Sequence, residues 1–251
     1  MRRCDIALFA AVASAGAAAV LLAKGQVRAA AVAAGAAAVA GFYCRAESRR
    51  LPRPMPTALW WTLLLPRGRH APRHLLRLLE PKPGERILEI GHGIGVHAIP
   101  MARAVAPGGR LAAVDVSTGM LAKLARRASR AGISSIEPQA GSASHLPYPD
   151  ESFDAAYLIS VLGEVPDPQA AWAELRRVLN RDGRLVVGEL ALDPDFVSAA
   201  DIRREAEANG FKFAKRVGGS LSYLALFRRD ALAPLPHRRG GLCRKQGLIL
   251  Q

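Results

Sequence analysis

The chain has 251 residues, half of them hydrophobic: enough for one sizeable α/β domain with appendages, too few for two full domains, and too apolar for global disorder. Its formal charge of +14 is unevenly placed, with 12 Lys and Arg against 3 Asp and Glu in residues 1–80, 19 against 18 in residues 81–230, and 4 against none in residues 231–251. The long central stretch is nearly neutral and lacks the basic stripe that nucleic-acid binding requires, which makes a nucleic-acid partner an unfavoured reading.

From the N-terminus, Ile6 to Ala23 form an uncharged, Ala-rich run, and a polar break from Lys24 to Arg28 leads to a second run from Ala29 to Cys44. A bilayer-spanning helix needs about 20 apolar residues, so the first run qualifies narrowly and the second falls slightly short. A cleavable signal, a single anchor, a two-helix hairpin and a plain helical extension all fit such a segment. Arg45, Arg49, Arg50 and Arg53 after the second run favour the hairpin under the positive-inside rule, while Lys24 and Arg28 in its outer turn count against it. The expectation is membrane attachment of residues 1–47, as one or two helices, with the following domain in the cytoplasm. Cys4, Cys44 and Cys243 match no disulfide or metal framework, so no metal site is expected and a reducing compartment is indicated.

Residues 48–80 combine Pro52, Pro54 and Pro56 with Trp60-Trp61, Leu63-Leu64-Leu65 and then Arg67, Arg69, Arg73 and Arg77. They read as a linker at a membrane interface or as a lid packed on the next domain. Residues 231–251 carry Pro, Gly and Arg without apolar periodicity and read as a basic disordered tail.

Between them, residues 81–230 alternate strand and helix signals. Apolar runs at 86–90, 111–116, 155–161 and 185–189 enclose helical patterns at about 95–105, 118–131 and 168–179, the pattern of a parallel sheet with crossover helices. A last helix near 199–209 precedes two strands, 211–217 and 221–228, joined by Gly218-Gly219 and therefore antiparallel.

The first strand runs through Glu89-Ile90 into Gly91-His92-Gly93-Ile94-Gly95, where glycines permit a sharp turn and close approach of a ligand to the main chain. A dinucleotide fingerprint needs Gly or Ala at position 96, which is Val96, and this argues against a nicotinamide-dependent oxidoreductase. The second strand ends in Asp115, 20 residues beyond Gly95, where a carboxylate can accept hydrogen bonds from a ribose diol. In this order the motifs resemble the class I S-adenosylmethionine-dependent methyltransferases, closest in style to those acting on small quinone- or lipid-type molecules. The stretch Gly141-Ser142-Ala143-Ser144-His145-Leu146-Pro147 through Phe153-Asp154, and the turn Asn180-Arg181-Asp182-Gly183 before the fifth strand, extend the resemblance over about 150 residues.

That resemblance implies a Rossmann-like three-layer sandwich with a mostly parallel seven-stranded sheet and an antiparallel C-terminal strand, preceded by the apolar helical segment. It implies S-adenosyl-L-methionine as cofactor. The cofactor residues it implies are Glu89, Gly91, His92, Gly93 and Gly95 in the first loop, Asp115, Val116 and Met120 around ribose and adenine, and Ser142, Ala143 and Ser160. Ser142 departs from the family, which carries an acid there against the adenine amino group; a hydroxyl offers a hydrogen bond without charge. His92 is expected to shape the loop.

Direct methyl transfer needs alignment, exclusion of water and sometimes a base. Glu164, after the fourth strand, is the candidate for taking a proton or holding a cationic acceptor, with a capping or solvent-exposed role as the other reading. An exocyclic-amine methyltransferase would carry Asn/Asp-Pro-Pro-Tyr/Phe where Ser160-Val161-Leu162-Gly163 stands, and residues 45–242 offer no cysteine nucleophile. The expected activity is methyl transfer to a small, lipophilic acceptor by a membrane-attached enzyme. A tethered cofactor-binding domain without catalysis and an RNA methyltransferase are the alternatives. The oligomeric state is not legible.

Overall fold

The structure is a computed structural model, and it describes residues 3–65 and 68–230. The tail expectation for residues 231–251 lies outside the described residues. Helices α1 (Arg3–Ala23) and α2 (Val27–Arg50) pack side by side as an antiparallel hairpin. The reversal is made at Gly25, whose φ of +73° suits glycine, with the Gln26 N–H closing on the Leu21 carbonyl at 2.9 Å. Among the described residues, Val27–Arg50 is the one helix long and apolar enough to cross a membrane. Its Val32, Val39 and Phe42 are each more than 70% exposed. Starting at Val27, this helix is longer than its uncharged run, because Arg28 and the arginines at its other end extend it.

A 3₁₀ stretch, Thr57–Leu64, and the short helix α3 (Pro72–Leu79) lead into the α/β domain. There follow β1 (Arg86–Ile90), α4 (Ala98–Ala104), β2 (Arg110–Asp115), α5 (Thr118–Arg130), β3 (Ile136–Ala140), β4 (Phe153–Ile159), α6 (Pro168–Val178), β5 (Leu179–Leu190), α7 (Ala199–Ala208), β6 (Phe211–Gly218) and β7 (Ser222–Arg229). The sheet order is β3-β2-β1-β4-β5-β7-β6, with β1 to β5 parallel and β7 antiparallel to both of its neighbours. The sandwich expected from the sequence is the one observed.

The helices start where side chains cap them. Ser117 accepts from the Met120 N–H (3.3 Å), Asp167 from Ala170 (3.0 Å) and Ser198 from Asp201 (3.2 Å), contacts worth about 1 kcal/mol each. The helices cover both faces of the sheet, so β1 is buried on both. Leu88 and Ile90 join Trp172, Phe211 and Tyr223 on one side, and Ile87 joins Leu75, Met101, Leu124 and Tyr157 on the other. Two details differ from the sequence reading. β3 carries Pro138 and is mostly exposed, which an edge strand tolerates and periodicity does not reveal. α4 starts only at Ala98, because Gly91, Gly93 and Gly95 all hold positive φ and the chain stays in turns until His97.

Candidate cofactor and acceptor site

In a sheet of this order the chain leaves β1 and β4 in opposite directions, which opens a crevice at their carboxyl ends. Every candidate residue named from the sequence lies on or just beyond the carboxyl ends of β1, β2, β3 and β4. The glycine loop follows β1, Asp115 ends β2 with Val116 next to it, Ser142 and Ala143 follow β3, and Ser160 follows β4.

Asp115 is the hub. One carboxylate oxygen accepts from the Gly93 N–H at 3.1 Å and the other from the Ser117 N–H at 2.8 Å, so a single side chain ties the β1 loop to the start of α5. Its second lone pairs remain available to a ligand diol. His92 is buried, with Nδ1 2.8 Å from the Gly93 carbonyl, and burial holds it toward the neutral imidazole against the pull of Asp115. Its Nε2 has no hydrogen-bond partner among the described residues. Met120 is buried on α5, while Val116 is exposed. Ser142 Oγ accepts from the Ser144 N–H at 3.2 Å. Ser160 sits at φ +57°, a conformation non-glycine residues rarely adopt, with its N–H bonded to the Gly188 carbonyl at 2.7 Å.

Glu89 faces the same side of the sheet as Ile87, across from Tyr157 in the β1–β4 register. Burial pushes its carboxyl up to about 8, with Asp115 adding to the rise. The neutral acid is therefore the form present at pH 7.

Glu164 ends the 3₁₀ turn Leu162–Glu164 and accepts from the Met55 N–H at 3.3 Å. Its carboxyl lies well above the usual range, through loss of hydration first and then through the neighbouring Asp195. Glu189, at the end of β5, is buried and raised in the same way. Asp195 is pushed up to about 6. Three carboxyls with raised pKa thus gather at the ends of β4 and β5, and the sequence reading singled out only Glu164. Glu189 and Asp195 are separated from it by 25 and 31 positions, so no local motif announces them.

The segment after the hairpin is the other feature that the sequence left open. Met55 bonds Glu164, Thr57 Oγ1 lies 2.9 Å from Ser117 Oγ, and Lys123 stacks on the Trp60 ring at 4.3 Å. Leu63 Cδ1 lies 2.8 Å from where a Gly93 Cβ would stand, and Val161 closes on Gly91 in the same manner. The segment lies across the glycine loop, the start of α5 and the turn after β4. The sequence signal was the apolar Trp60-Trp61 and Leu63-Leu64-Leu65 run, although Leu59 and Leu63 do the packing while Trp61 is 42% exposed.

These residues fit S-adenosylmethionine. The positive-φ glycines turn the main chain of the β1 loop beside Asp115, whose carboxylate offers acceptors to a diol, and Met120 is apolar. The fold is a Rossmann-like α/β sandwich with its candidate site at the carboxyl ends of the parallel strands. Residues 88–187 match the family described as "Methyltransferase domain". The chain is 37% identical over 118 residues to a demethylmenaquinone methyltransferase of Clavibacter sepedonicus, covering 47% of this chain and 46% of that one. It is 31% identical over 160 residues to the ubiquinone/menaquinone biosynthesis C-methyltransferase UbiE of Xanthomonas axonopodis pv. citri, covering 63% and 59%. The chain spans about half the length of these curated relatives. A crystal structure of a SAM-dependent methyltransferase from Aquifex aeolicus matches with a TM-score of 0.63 at 18% identity, covering 69% of this chain and 98% of that one, a likeness of fold.

Proposed function

We propose that the protein transfers the methyl group of S-adenosylmethionine to a small, lipophilic acceptor that reaches it at a membrane, with the methyltransferase domain on the cytoplasmic side. The observation that carries this reading is the glycine loop after β1 tied by Asp115 to the start of α5, within the matched domain. The names of the two curated relatives, both of quinone biosynthesis, favour an acceptor of quinone-like character. The apolar hairpin beside the site favours a lipid-borne one.

When bound, the cofactor supplies a methyl carbon already activated by its sulfonium. The chain's own residues then have three tasks. The main chain of the Gly91–Gly95 loop lies against the methionine portion, and His92 and Glu89 keep that loop in shape. Asp115 and Ser142, with Val116, Met120, Ala143 and Ser160 around them, hold the ribose and adenine. Leu63 and Thr57 keep water from the reacting centre. Glu164 accepts the acceptor's proton as the new bond to carbon forms, a role favoured by a carboxyl raised above its ordinary range, which is the stronger base once ionised.

The test is calorimetric titration of the full chain with S-adenosylmethionine and S-adenosylhomocysteine, with NAD as control. Both sulfur compounds should bind and NAD should not. Asp115→Ala should weaken binding at least tenfold, because two charge-assisted anchors of the loop, each worth about 1.5–3 kcal/mol, are lost together. Binding of NAD alone, or of neither sulfur compound by folded protein, would sink the reading.

A further inference from the structure

The near-neutral total of the domain hides a segregation of charge between its two helical layers. Helices α3, α4 and α5 cover the sheet face that holds Ile87, through Leu75, Met101 and Leu124, while α6 and α7 cover the opposite face through Trp172 and Ile202. The first three helices carry seven Lys and Arg and no Asp or Glu, whereas α6 and α7 carry four Arg against four Asp and Glu. In the balanced layer the charges pair: Arg177 with Glu174 at 2.7 Å, Arg203 with Glu207 at 2.8 Å and Arg204 with Asp201 at 2.7 Å. In the basic layer Arg73, Arg77, Arg126 and Arg130 are exposed, as is Arg69 just before α3, and none of them has an ion pair among the described residues. Loss of hydration and then the charges of Arg73, Arg77 and Arg69 hold the His74 imidazole below its ordinary range, so these cations act on one place together. The acids that flank the layer in the chain are engaged elsewhere: Glu85 by Arg184 at 2.6 Å, Glu137 by Arg110 at 3.2 Å and Asp115 by main-chain N–H groups. Only Glu80, at the end of α3, has no such partner among the described residues.

Apolar side chains stand within this charge. Leu63, Leu64 and Leu65 line a groove of about 220 Å³ together with Ala71 and Pro72 at the start of α3 and Arg127 of α5. Leu64 is 56% and Leu65 54% exposed, Trp61 is exposed beside them, and Lys123 lies over the neighbouring Trp60 ring. We infer that this face is a docking surface for an anionic phospholipid membrane, with Trp61, Leu64 and Leu65 entering the headgroup layer and the arginines of α3 and α5 meeting lipid phosphates. A bilayer surface offers both halves of the match, negative charge and, just beneath it, hydrocarbon for bulky side chains. A nucleic acid would satisfy the arginines and leave Leu64 and Leu65 in water. This docking is a contact of the domain itself, additional to α2, and it depends on neither the acceptor nor the methyl transfer. Because residues 57–64 also lie across the glycine loop, the docked face brings that loop to the lipid surface.

The experiment is hydroxyl-radical footprinting of the full chain in nanodiscs of phosphatidylcholine, with and without about one third phosphatidylglycerol. With phosphatidylglycerol, modification should fall roughly threefold or more at Trp61, Leu64 and Leu65 and across residues 69–77 and 123–130, while α6 and α7 stay as reactive as before. High salt should remove that protection from the wild type, a readout that needs no variant. Each cation at an anionic surface contributes roughly fivefold in affinity, so the quadruple variant Arg73→Gln, Arg77→Gln, Arg126→Gln, Arg130→Gln should lose the protection as well. Its melting temperature and S-adenosylhomocysteine affinity should match the wild type, and Arg203→Gln with Arg204→Gln, two cations removed from the other layer, should keep the protection. Equal protection in both kinds of nanodisc, protection spread over α6 and α7, or protection that survives high salt would overturn the inference. So would protection of these residues by a single-stranded oligonucleotide but not by phosphatidylglycerol, which would make the face a nucleic-acid surface. Cofactor binding is measured separately, so its failure would strike the methyltransferase reading and leave the docking surface standing.

Discussion

Glu89 shows what burying an acid in a doubly covered strand does. Its carboxyl keeps its proton up to about pH 8 in the folded chain, whereas the unfolded chain loses it near 4.5. The unfolded state therefore binds fewer protons through that window, and stability falls as pH rises from about 4.5 to about 8, with a slope of up to about 1.4 kcal/mol per pH unit from this residue. Urea unfolding at pH 5.5, 7 and 8.5 should show this decline in the wild type and a shallower one in Glu89→Gln; parallel pH dependences would refute the assignment. Glu164 moves the same way for a different purpose. In the proposed role its ionised form acts as the base, so kcat/KM should rise with pH through its raised pKa. Glu164→Gln should remove that limb and lower kcat roughly 10²-fold, the lower end of what a positioned base contributes, with S-adenosylhomocysteine affinity unchanged. A variant with full activity and the same pH profile would assign Glu164 to lid anchoring through Met55 alone.

Among the elements, the lid is the one whose placement the linear pattern left undecided. Prolines 52, 54 and 56 and the double tryptophan suit an interfacial linker as well as a cap. The segment makes contacts to positions 60 to 109 residues away, Thr57 to Ser117 and Met55 to Glu164. Leu63 lies over Gly93 because that position has no side chain of its own. Leu63→Ala should therefore speed dissociation of S-adenosylmethionine severalfold and raise amide exchange across residues 57–64, with a smaller effect on equilibrium stability than a buried leucine elsewhere in the core. Stopped-flow displacement and hydrogen exchange measure both, and unchanged dissociation would show that the segment does not gate the loop.

For the whole molecule, the relation between hairpin and domain matters most. The basic last turn of α2 and Arg53 flank an apolar helix on the side where the domain begins, the arrangement expected when that side is cytoplasmic. The domain itself contributes exposed apolar residues, Leu192 and Leu221, near the same foot. Val32→Asp combined with Val39→Asp, both on the exposed face of α2, should abolish flotation of the full chain with phosphatidylcholine vesicles and leave cofactor binding intact. Flotation persisting in that double variant would mean that attachment does not run through α2.

The sequence alone determined the alternation of elements, the glycine loop, Asp115 and the antiparallel ending, because each is encoded locally: periodicity, a strand running into glycines, a strand ending in an acid, a Gly-Gly turn. It also placed Glu164 after the fourth strand. It did not resolve β3, an exposed edge strand with a proline, or the late start of α4. Only the tertiary structure decided that residues 52–64 cross the site and that Glu189 and Asp195 stand beside Glu164. Those are contacts between segments far apart in the chain, formed where the crevice between β1 and β4 collects the ends of four strands, and no local pattern of residues carries that information.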